Sequence, residues 1–512
     1  MKKITLLLAV ACCTASFAQP GALDPAFGHA GIVTTPLSAG IDQINAIALQ
    51  PDGKIVTAGY TMKYGSLDFA TVRYSAAGTP EFTTVTGFSK ADDIAYQVLL
   101  QPDGKIIVAG YSNNKESSIF KFALARYLPA GVLDTTFGTA GKVTTNFSAN
   151  LNDKAFTAAL QPDGKILVGG ASNTGNGYHF LLARYRTDGS LDPDFGTGGS
   201  VYTILQVSSI IHKIVLLPDG KILAAGSTRL GSTYRLVLAR YLPEGNLDPD
   251  FGAYGVALTN YYVGETDPQS LLVGNDGKIV WAGTVNGHFV ALQFDAQGNA
   301  DDAFGNNGAA VTTFGAGSLD YCTAAVAQPD GMIVCGGYTN STGNNNYALT
   351  RFTAAGLLDT TFGIAGRVIT PIGTANSDRA YALALQPDGK LVAAGVSENT
   401  GSGSDFSLAR YGSGLMVGTA SPNGLLDDLQ LFPNPVGSSA RFLYRLRRPG
   451  TLTVRIWDSG GTCLHTFFSK KQSDAGDHTD LLEMPDGLPA GVYFLSVGTE
   501  LEQRRLPFFH TR

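Results

Sequence analysis

One four-residue phrase, Pro-Asp-Gly-Lys or a close variant of it, occurs seven times in this chain of 512 residues. The aspartates of the seven copies are Asp52, Asp103, Asp163, Asp219, Asp276, Asp330 and Asp388. Successive copies are 51 to 60 residues apart, which is long enough for one four-stranded sheet per copy. Because repeats of this length build rings or arrays, the repeat constrains the fold more than any other feature.

Each repeat contains the same strand-sized pieces in the same order. Around the third copy these are residues 142–147, 155–161, the turn, 165–170 and 180–185. Proline fixes φ early in the turn and glycine accepts the left-handed conformation, so the phrase predicts a tight hairpin. The strands beside the turn are almost wholly apolar, which is typical of strands covered on both faces.

A glycine follows each strand after the turn, and a small residue usually precedes it. The seven glycines are Gly59, Gly110, Gly170, Gly226, Gly283, Gly337 and Gly395. We expect each glycine to close its strand, and we expect the small residues there to let neighbouring backbones approach closely, as the crowded part of a radial array requires.

Seven repeats of four strands predict an all-β fold, a seven-bladed β-propeller over residues 23–411. A β-solenoid is the main alternative, but its coils are usually shorter, roughly 20–30 residues, and its end repeats are atypical. Here the first and last repeats look like the middle ones. Because the repeats begin with a Leu-Asp phrase and stop at Arg410-Tyr411, we expect the strand at residues 32–35 to complete the last blade.

The third and fourth repeats carry a specific resemblance. The run Leu191-Asp192-Pro193-Asp194-Phe195-Gly196, taken with Asp163-Gly164-Lys165 and Ala183-Arg184-Tyr185, resembles the delta-60 repeat family. The resemblance extends over about three quarters of the chain and implies a repeat protein, because the family is known for its repeat and not for a reaction.

Three repeats depart from this pattern. The second has Pro80-Glu81-Phe82 in place of the Leu-Asp phrase, the fifth has Gln293 where others have arginine, and the sixth has Met332 in place of the turn lysine.

The first 18 residues are typical of a secretory signal peptide. Two lysines precede an apolar run at residues 4–11, and Ser16 and Ala18 supply the small residues before a cleavage point at Gln19. Eight apolar residues are too few to span a membrane. Cys12 suggests lipidation as an alternative, but Ala9 stands where lipoproteins usually have leucine. We expect an exported chain that is not an integral membrane protein.

After a Gly/Ser-rich linker at residues 412–428, residues 429–512 follow a different pattern. Their motifs are Leu431-Phe432-Pro433-Asn434-Pro435-Val436, an apolar strand at 452–458 and a second one at 488–497. Together they resemble the type A sorting domain of the type IX (Por) secretion system. The resemblance implies a small β-sandwich, the secretion machinery as a partner, and a secreted or cell-surface location reached through the periplasm. The arginine-rich end at 504–508 differs from the usual lysine-rich one.

The charge of the chain argues against a nucleic-acid partner. Without the two signal lysines, 34 basic residues face 42 acidic ones, and the part before residue 429 carries a net charge of −10. Such a surface repels phosphate backbones and anionic lipids.

Three cysteines remain after cleavage, Cys322, Cys335 and Cys463. Hairpin pairing places Cys335 opposite Ala325 or Val326, so Cys322 is too far out of register for a disulfide. We expect three buried free thiols. No cysteine or histidine spacing fits zinc, and no cofactor is predicted.

Two polar positions recur throughout the repeats. They are Arg73, Arg126, Arg184, Arg240, Arg351 and Arg410 on one strand, and Asp24, Asp134, Asp192, Asp248, Asp301 and Asp359 in the Leu-Asp phrase, where Glu81 substitutes once. A catalytic group is needed once and not six times. We therefore expect within-blade ion pairs or turn caps, and we predict no catalytic, cofactor-binding or metal-ligating residue.

Variation between repeats is concentrated in one set of loops. These Gly/Asn/Ser-rich loops, at 112–118, 172–178, 227–234, 339–347 and 397–405, should emerge on one rim. Variable loops on a rigid scaffold often bind ligands, although tolerated surface loops look the same. Two functions remain open: a binding or structural propeller for an extracellular protein or glycan, which we favour, and a propeller enzyme such as a lactonase or polysaccharide lyase.

Overall fold

The structure, a computed structural model, describes residues 19–510 except 64, 115–118, 149–150, 265–269, 275, 376, 415–424, 433–435, 458–462, 490 and 500–502. The predicted signal peptide, most of the linker and parts of the three sorting motifs lie outside the described residues. No helix within the described ranges is long and apolar enough to cross a membrane.

The described residues form 35 β-strands. The first thirteen are β1 (Ile32–Thr35), β2 (Asp42–Leu49), β3 (Ile55–Lys63), β4 (Ser66–Tyr74), β5 (Pro80–Thr86), β6 (Asp93–Leu100), β7 (Ile106–Asn114), β8 (Ile119–Tyr127), β9 (Lys142–Thr145), β10 (Asp153–Leu160), β11 (Ile166–Asn173), β12 (Tyr178–Tyr185) and β13 (Ser200–Thr203). The next fifteen are β14 (Ser209–Leu216), β15 (Ile222–Leu230), β16 (Thr233–Tyr241), β17 (Val256–Val263), β18 (Ser270–Val273), β19 (Ile279–Val285), β20 (His288–Phe294), β21 (Ala309–Thr312), β22 (Asp320–Ala327), β23 (Ile333–Thr339), β24 (Asn346–Phe352), β25 (Arg367–Thr370), β26 (Asp378–Leu385), β27 (Lys390–Asn399) and β28 (Gly403–Gly412).

These 28 strands form seven four-stranded antiparallel sheets, here called blades 1 to 7. Blades 1 to 6 each take four consecutive strands, starting with β2, β6, β10, β14, β18 and β22, and blade 7 consists of β26, β27, β28 and β1. The first strands of successive blades contact each other, and β26 of blade 7 contacts β2 of blade 1. The sheets therefore form a closed ring with their first strands innermost. This confirms the prediction of an all-β propeller.

The N-terminal strand completes blade 7, as expected. Ile32 of β1 lies opposite Ala409 of β28, and Thr35 lies opposite Phe406. Each sequence repeat consequently spans two blades, because its first strand is the outermost strand of the preceding blade. In the third repeat, for example, β9 belongs to blade 2 whereas β10, β11 and β12 belong to blade 3.

The repeated turn adopts the predicted hairpin. Gly164 has φ of 83°, the left-handed region that favours glycine. The amide of Gln161 donates to the Lys165 carbonyl at 2.8 Å, and the Lys165 amide donates to Asp163 Oδ1 at 3.1 Å. The strand that follows is buried on both faces, since Ile166 belongs to the core between blades 2 and 3 and Leu167 to the core between blades 3 and 4.

The glycines after the turn allow the predicted close approach of neighbouring backbones, but they do not end their strands. Strand β11 continues three residues beyond Gly170, so the glycine does not end it. A Cβ atom at Gly170 would lie 2.0 Å from the carbonyl oxygen of Lys154 on β10, the neighbouring strand of the same blade. Gly59, Gly110, Gly226, Gly337 and Gly395 show the same approach at 1.8 to 2.0 Å. The close backbone is thus within the blade and not between blades.

A separate unit follows the propeller. Its strands are β29 (Leu426–Phe432), β30 (Ser439–Leu446), β31 (Gly450–Trp457), β32 (Cys463–Ser473), β33 (Gly476–Glu483), β34 (Gly491–Gly498) and β35 (Gln503–His510). They form a three-stranded sheet, β29-β30-β33, and a four-stranded sheet, β32-β31-β34-β35, which share one apolar core. This is a small β-sandwich, and it begins at Leu426, slightly before the predicted boundary.

The cysteines match the prediction at two of three positions. Ala325 lies opposite Cys335, and Cys322 and Cys335 are buried free thiols. Cys463 is also free, but it is exposed. The expectation that it is buried was wrong, because it begins β32, an edge strand whose first residues face solvent.

Candidate binding site in the central cavity

Within the described residues, six of the seven innermost strands contain a β-bulge at an equivalent place, and in the seventh strand, β18, the equivalent residue Gln269 lies outside the described ranges. In β10 the pairing with β11 shifts between Ala155 and Thr157, so Phe156 has no residue opposite it. The corresponding bulged residues in the other strands are Asn45, Tyr96, His212, Thr323 and Tyr381. A bulge re-aims a side chain and bends its strand. The glycines described above accommodate these bulges, because each faces the carbonyl two residues before the bulged residue.

All six bulged residues line one cavity of about 480 Å³ at the centre of the ring. All seven innermost strands contribute to this cavity, together with Tyr111 of β7. Its volume is within the range of small-molecule sites, roughly 300–1,000 Å³. We call it the central cavity.

Aromatic rings cover one side of the central cavity. The ring centroids of Tyr96 and Phe156 are 5.2 Å apart in an edge-to-face arrangement, and Tyr111 lies 5.5 Å from Tyr96. His212 continues this row, 6.1 Å from Phe156. Burial raises the pKa of the Tyr96 hydroxyl, so this group stays protonated and can donate a hydrogen bond.

Two lysines also line the central cavity. Lys213 of blade 4 donates to Gln97 Oε1 of blade 2 at 3.1 Å, a contact that bypasses blade 3. Lys154 of blade 3 lies 4.5 Å from the ring centroid of Phe120. Burial lowers the pKa of the Lys213 ammonium group, because removal from water penalises its charged form. The described residues that line the cavity include no aspartate or glutamate.

Some polar side chains of the lining also join neighbouring blades. Asn45 Nδ2 donates to the Ala95 carbonyl at 2.8 Å, and Thr323 Oγ1 donates to the Ala380 carbonyl at 2.9 Å. Bulged residues therefore serve two purposes: Asn45 and Thr323 hold adjacent blades together, while the aromatic ones present ring surfaces.

The repeated arginines and aspartates lie elsewhere and do not line the central cavity. Arg184 Nε donates to Asp192 Oδ2 at 2.7 Å, and Arg184 Nη1 donates to the Pro243 carbonyl of the next blade at 2.8 Å. Its guanidinium lies 4.7 Å from the centre of the Phe195 ring. Equivalent ion pairs join Arg73 to Glu81, Arg126 to Asp134, Arg240 to Asp248, Arg351 to Asp359 and Arg410 to Asp24.

The repeated aspartates cap turns as well as pairing with arginine. Asp134 Oδ1 accepts from the amide of Thr136 at 3.1 Å, while Arg126 and Lys105 approach its other oxygen. Burial raises the pKa of Asp134, but the Thr136 hydrogen bonds and the two cations outweigh burial and hold it at about 2. Asp134 therefore has both of the predicted structural roles, because it forms an ion pair with arginine and caps a turn.

Blade 5, which has Gln293 in place of the arginine, is held in another way. Lys278 Nζ donates to Gln293 Oε1 and to Asp301 Oδ2, both at 2.9 Å. The turn lysine thus replaces the missing guanidinium.

The variable loops emerge on one rim, and the four that are described in full are shorter than predicted, while residues 115–118 of the first loop lie outside the described residues. Each joins the second and third strands of a blade, at the end where the first strand begins. In blade 7 strand β27 runs to Asn399 and β28 starts at Gly403, so most of the predicted loop at 397–405 is strand. The loops rich in glycine and serine were therefore predicted to be longer than they are.

The sequence contains a signal for the central cavity. Every bulged residue stands seven positions before the aspartate of its Pro-Asp-Gly turn, as Tyr96 does before Asp103. Within otherwise similar repeats, this column reads Asn, Tyr, Phe, His, Gln, Thr and Tyr. Variation at a fixed offset inside an apolar strand marks an unusual position.

A family described as a domain of unknown function (DUF5122) beta-propeller matches six segments of the chain. They are residues 50–81, 101–137, 161–195, 217–251, 328–362 and 386–414. Over these six segments the chain is similar to that β-propeller family. No segment covers the fifth turn, where Asn275 replaces proline and Gln293 replaces arginine.

Solved structures resemble the chain only distantly. PorZ, a surface component of the type IX secretion system of Porphyromonas gingivalis, is 13% identical with a TM-score of 0.39, covering 94% of this chain and 60% of PorZ. The polysaccharide lyase Uly1 is 13% identical with a TM-score of 0.42, covering 72% of this chain and 90% of the lyase. Sqt1 of Chaetomium thermophilum is 12% identical with a TM-score of 0.37, covering 74% of this chain and 100% of Sqt1. No curated protein matches the sequence.

Proposed function

We propose that this protein is a secreted or surface-displayed β-propeller that binds a ligand in its central cavity. The observation that carries the proposal is the set of bulged residues. A repeated backbone device places a different side chain in the cavity from almost every blade, whereas the surrounding scaffold positions repeat nearly unchanged. A packed core needs no such variety, while a binding site does.

Binding is tested with the mature chain, residues 19–512, on arrays of extracellular glycans and proteins. We expect at least one ligand that is lost in Tyr96→Ala and retained in Tyr202→Ala. Tyr202 is the matched control, because it is an exposed tyrosine on the outer strand β13. Binding that survives Tyr96→Ala would place the site outside the cavity, and an array without any ligand would contradict the proposed function.

The same assay separates binding from the enzymatic alternative, a secreted carbohydrate-active propeller. Each array ligand is incubated with the protein and its products are measured by mass spectrometry, alongside metal analysis of the protein. Intact ligand supports a binding role. Turnover that depends on Tyr96 would instead establish an enzyme acting in the cavity.

We further propose that export uses the C-terminal β-sandwich and the type IX secretion machinery. The support is the resemblance of its motifs to type A sorting domains and its autonomous apolar core. Deleting residues 425–512 should leave a folded propeller in the periplasm of a host that has the system. Equal amounts of truncated and full-length protein in the medium would contradict this proposal.

A further inference from the structure

The central cavity combines cationic groups with exposed aromatic surface. Lys213 and Lys154 come from adjacent blades, and Phe156 is two residues from Lys154 on the same strand. Both side chains approach the Tyr111 ring, since Lys154 Nζ lies 5.5 Å from its centroid and the centroid of the Phe156 ring lies 6.1 Å from it. The ammonium group and the aromatic rings therefore meet at one wall.

Lys213 is poorly compensated for a partly buried ammonium group. Its neutral partner, Gln97 Oε1, satisfies one of three donors, and no ion pair is found for Lys213 among the described residues. Burying an ammonium group costs free energy that a nearby anion offsets. An anionic group of a ligand at this position would therefore gain more than it would at an exposed lysine.

The remainder of the lining suits hydroxyl-bearing rings. Tyr96 and Phe156 offer apolar faces, Gln97 and Ser270 offer neutral polar groups, and His212 adds its ring nitrogens. A sugar has the same alternation of C–H faces and hydroxyl edges. A ligand with many phosphate charges would be repelled more strongly than one with a few carboxylates, because the part of the chain that contains the propeller carries a net charge of −10.

We propose that the ligand is a saccharide that carries a carboxylate, bound with its carboxylate toward Lys213 and Lys154 and its rings against Tyr96 and Phe156. This inference rests on the proposed function, since it names the chemical class of the ligand for the same cavity.

The probes are digalacturonate and its methyl ester, which differ only in charge and in the ester methyl groups. Isothermal titration of the mature chain should show tighter binding of the acid than of the ester. Lys213→Met should weaken binding of the acid by roughly ten- to a hundredfold, as expected for loss of a charge-assisted hydrogen bond. The same variant should leave binding of the ester nearly unchanged.

The control is Lys142→Met, because Lys142 lies on the outer strand β9 and its ammonium group reaches the Gly87 carbonyl at an exposed site. This variant should bind the acid as the unaltered chain does. A thermal melt of both variants establishes that they are folded.

Three results would overturn the proposal of an acidic ligand. They are equal binding of acid and ester, no binding of any acidic saccharide on the array, and undiminished binding of the acid by folded Lys213→Met. If Tyr96-dependent binding of a neutral glycan or a protein accompanied any of these, the proposed function would stand and only the acidic ligand class would fail. A sulfated saccharide that bound with the same Lys213 dependence would overturn the assignment of a carboxylate.

Discussion

At the periphery of the propeller, six blades hold an arginine against a carboxylate at matching positions, and blade 5 reaches the same end with Lys278. Around the central cavity, by contrast, the bulged position of the innermost strand holds asparagine, tyrosine, phenylalanine, histidine or threonine. The same repeat thus builds one region whose residues recur from blade to blade and another whose residues differ between blades. The peripheral ion pair recurs with few exceptions, Glu81 and Lys278 among them, whereas the bulged residue of the cavity differs between most blades.

Ring closure is the most demanding part of the peripheral region, and its loss should have the largest effect. Deleting residues 19–37 removes β1, the buried ring of Phe27 and the ion pair between Asp24 and Arg410. The unpaired edge of β28 would then be exposed, so we expect aggregation and a large fall in melting temperature. Deleting residues 425–512 is the control and should leave the propeller transition in place. An unchanged melting curve after loss of residues 19–37 would show that β1 is dispensable.

The bulges shape the cavity region, and Gly170→Ala tests how strictly the fold requires them. The added Cβ would lie 2.0 Å from the Lys154 carbonyl oxygen. Rotation of the side chain cannot relieve this overlap, because the position of Cβ is fixed by the backbone. We expect a loss of roughly 3 kcal/mol or more in the free energy of unfolding, measured with urea. Gly412→Ala is the matched control, because nothing lies within 4 Å of its added Cβ. Equal stability of both variants would mean that the bulge can relax.

Arg184→Ala distinguishes scaffold from site. It removes hydrogen bonds to Asp192 and to the Pro243 carbonyl, which should cost roughly 1–3 kcal/mol of unfolding free energy. Binding of a cavity ligand by the folded protein should not change. Unchanged stability together with lost binding would contradict the structural role and would make the arginine ring a site.

Acid should weaken the periphery before it affects the cavity. The pKa of Asp134 is lowered to about 2, below the ordinary value of 3.8, so its contribution is complete above about pH 4 and is lost as pH falls toward 2. That contribution is about 2 kcal/mol. The difference in unfolding free energy between the unaltered chain and Asp134→Asn should therefore be present at pH 5 and shrink toward pH 2. A difference that is independent of pH would exclude an ionised Asp134 as its source.

The smallest effect is expected in blade 5. Gln293→Arg would pair the new guanidinium with Asp301, but Lys278 already occupies that carboxylate. We expect a change of less than about 1 kcal/mol, neutral or stabilising, because surface-exposed ion pairs contribute little. Lys278→Met should be the more damaging change in the unaltered blade. A large gain from Gln293→Arg would show that lysine is a poor substitute for arginine there.

The scaffold could be predicted from the sequence because its determinants are local and repeated. Asp163-Gly164 specifies a hairpin by itself, and the distance to the next turn specifies the number of strands. The residues that line the cavity could not be predicted in the same way, because side chains alternate between the two faces of a sheet only in a regular strand. Phe156 breaks that alternation by one residue, and only the pairing of β10 with β11 reveals the bulge. Glycine offered a clue at Gly170, but the sequence does not say which backbone comes close.

Closure by β1 also sets the order of events when the chain is made. The hydrogen bond between Arg410 and Asp24 spans 386 residues, so the first strand of the propeller must wait for nearly the last one. At ordinary rates of synthesis, about 5–20 residues per second, this interval is about 20 to 80 seconds. During that time the strands of blades 1 to 6 can pair within each blade, but the ring of innermost strands stays open. The outward faces of the first and last blades therefore remain exposed to water. A chain that stops before Phe406 lacks every residue that pairs with β1, so blade 7 could not be completed.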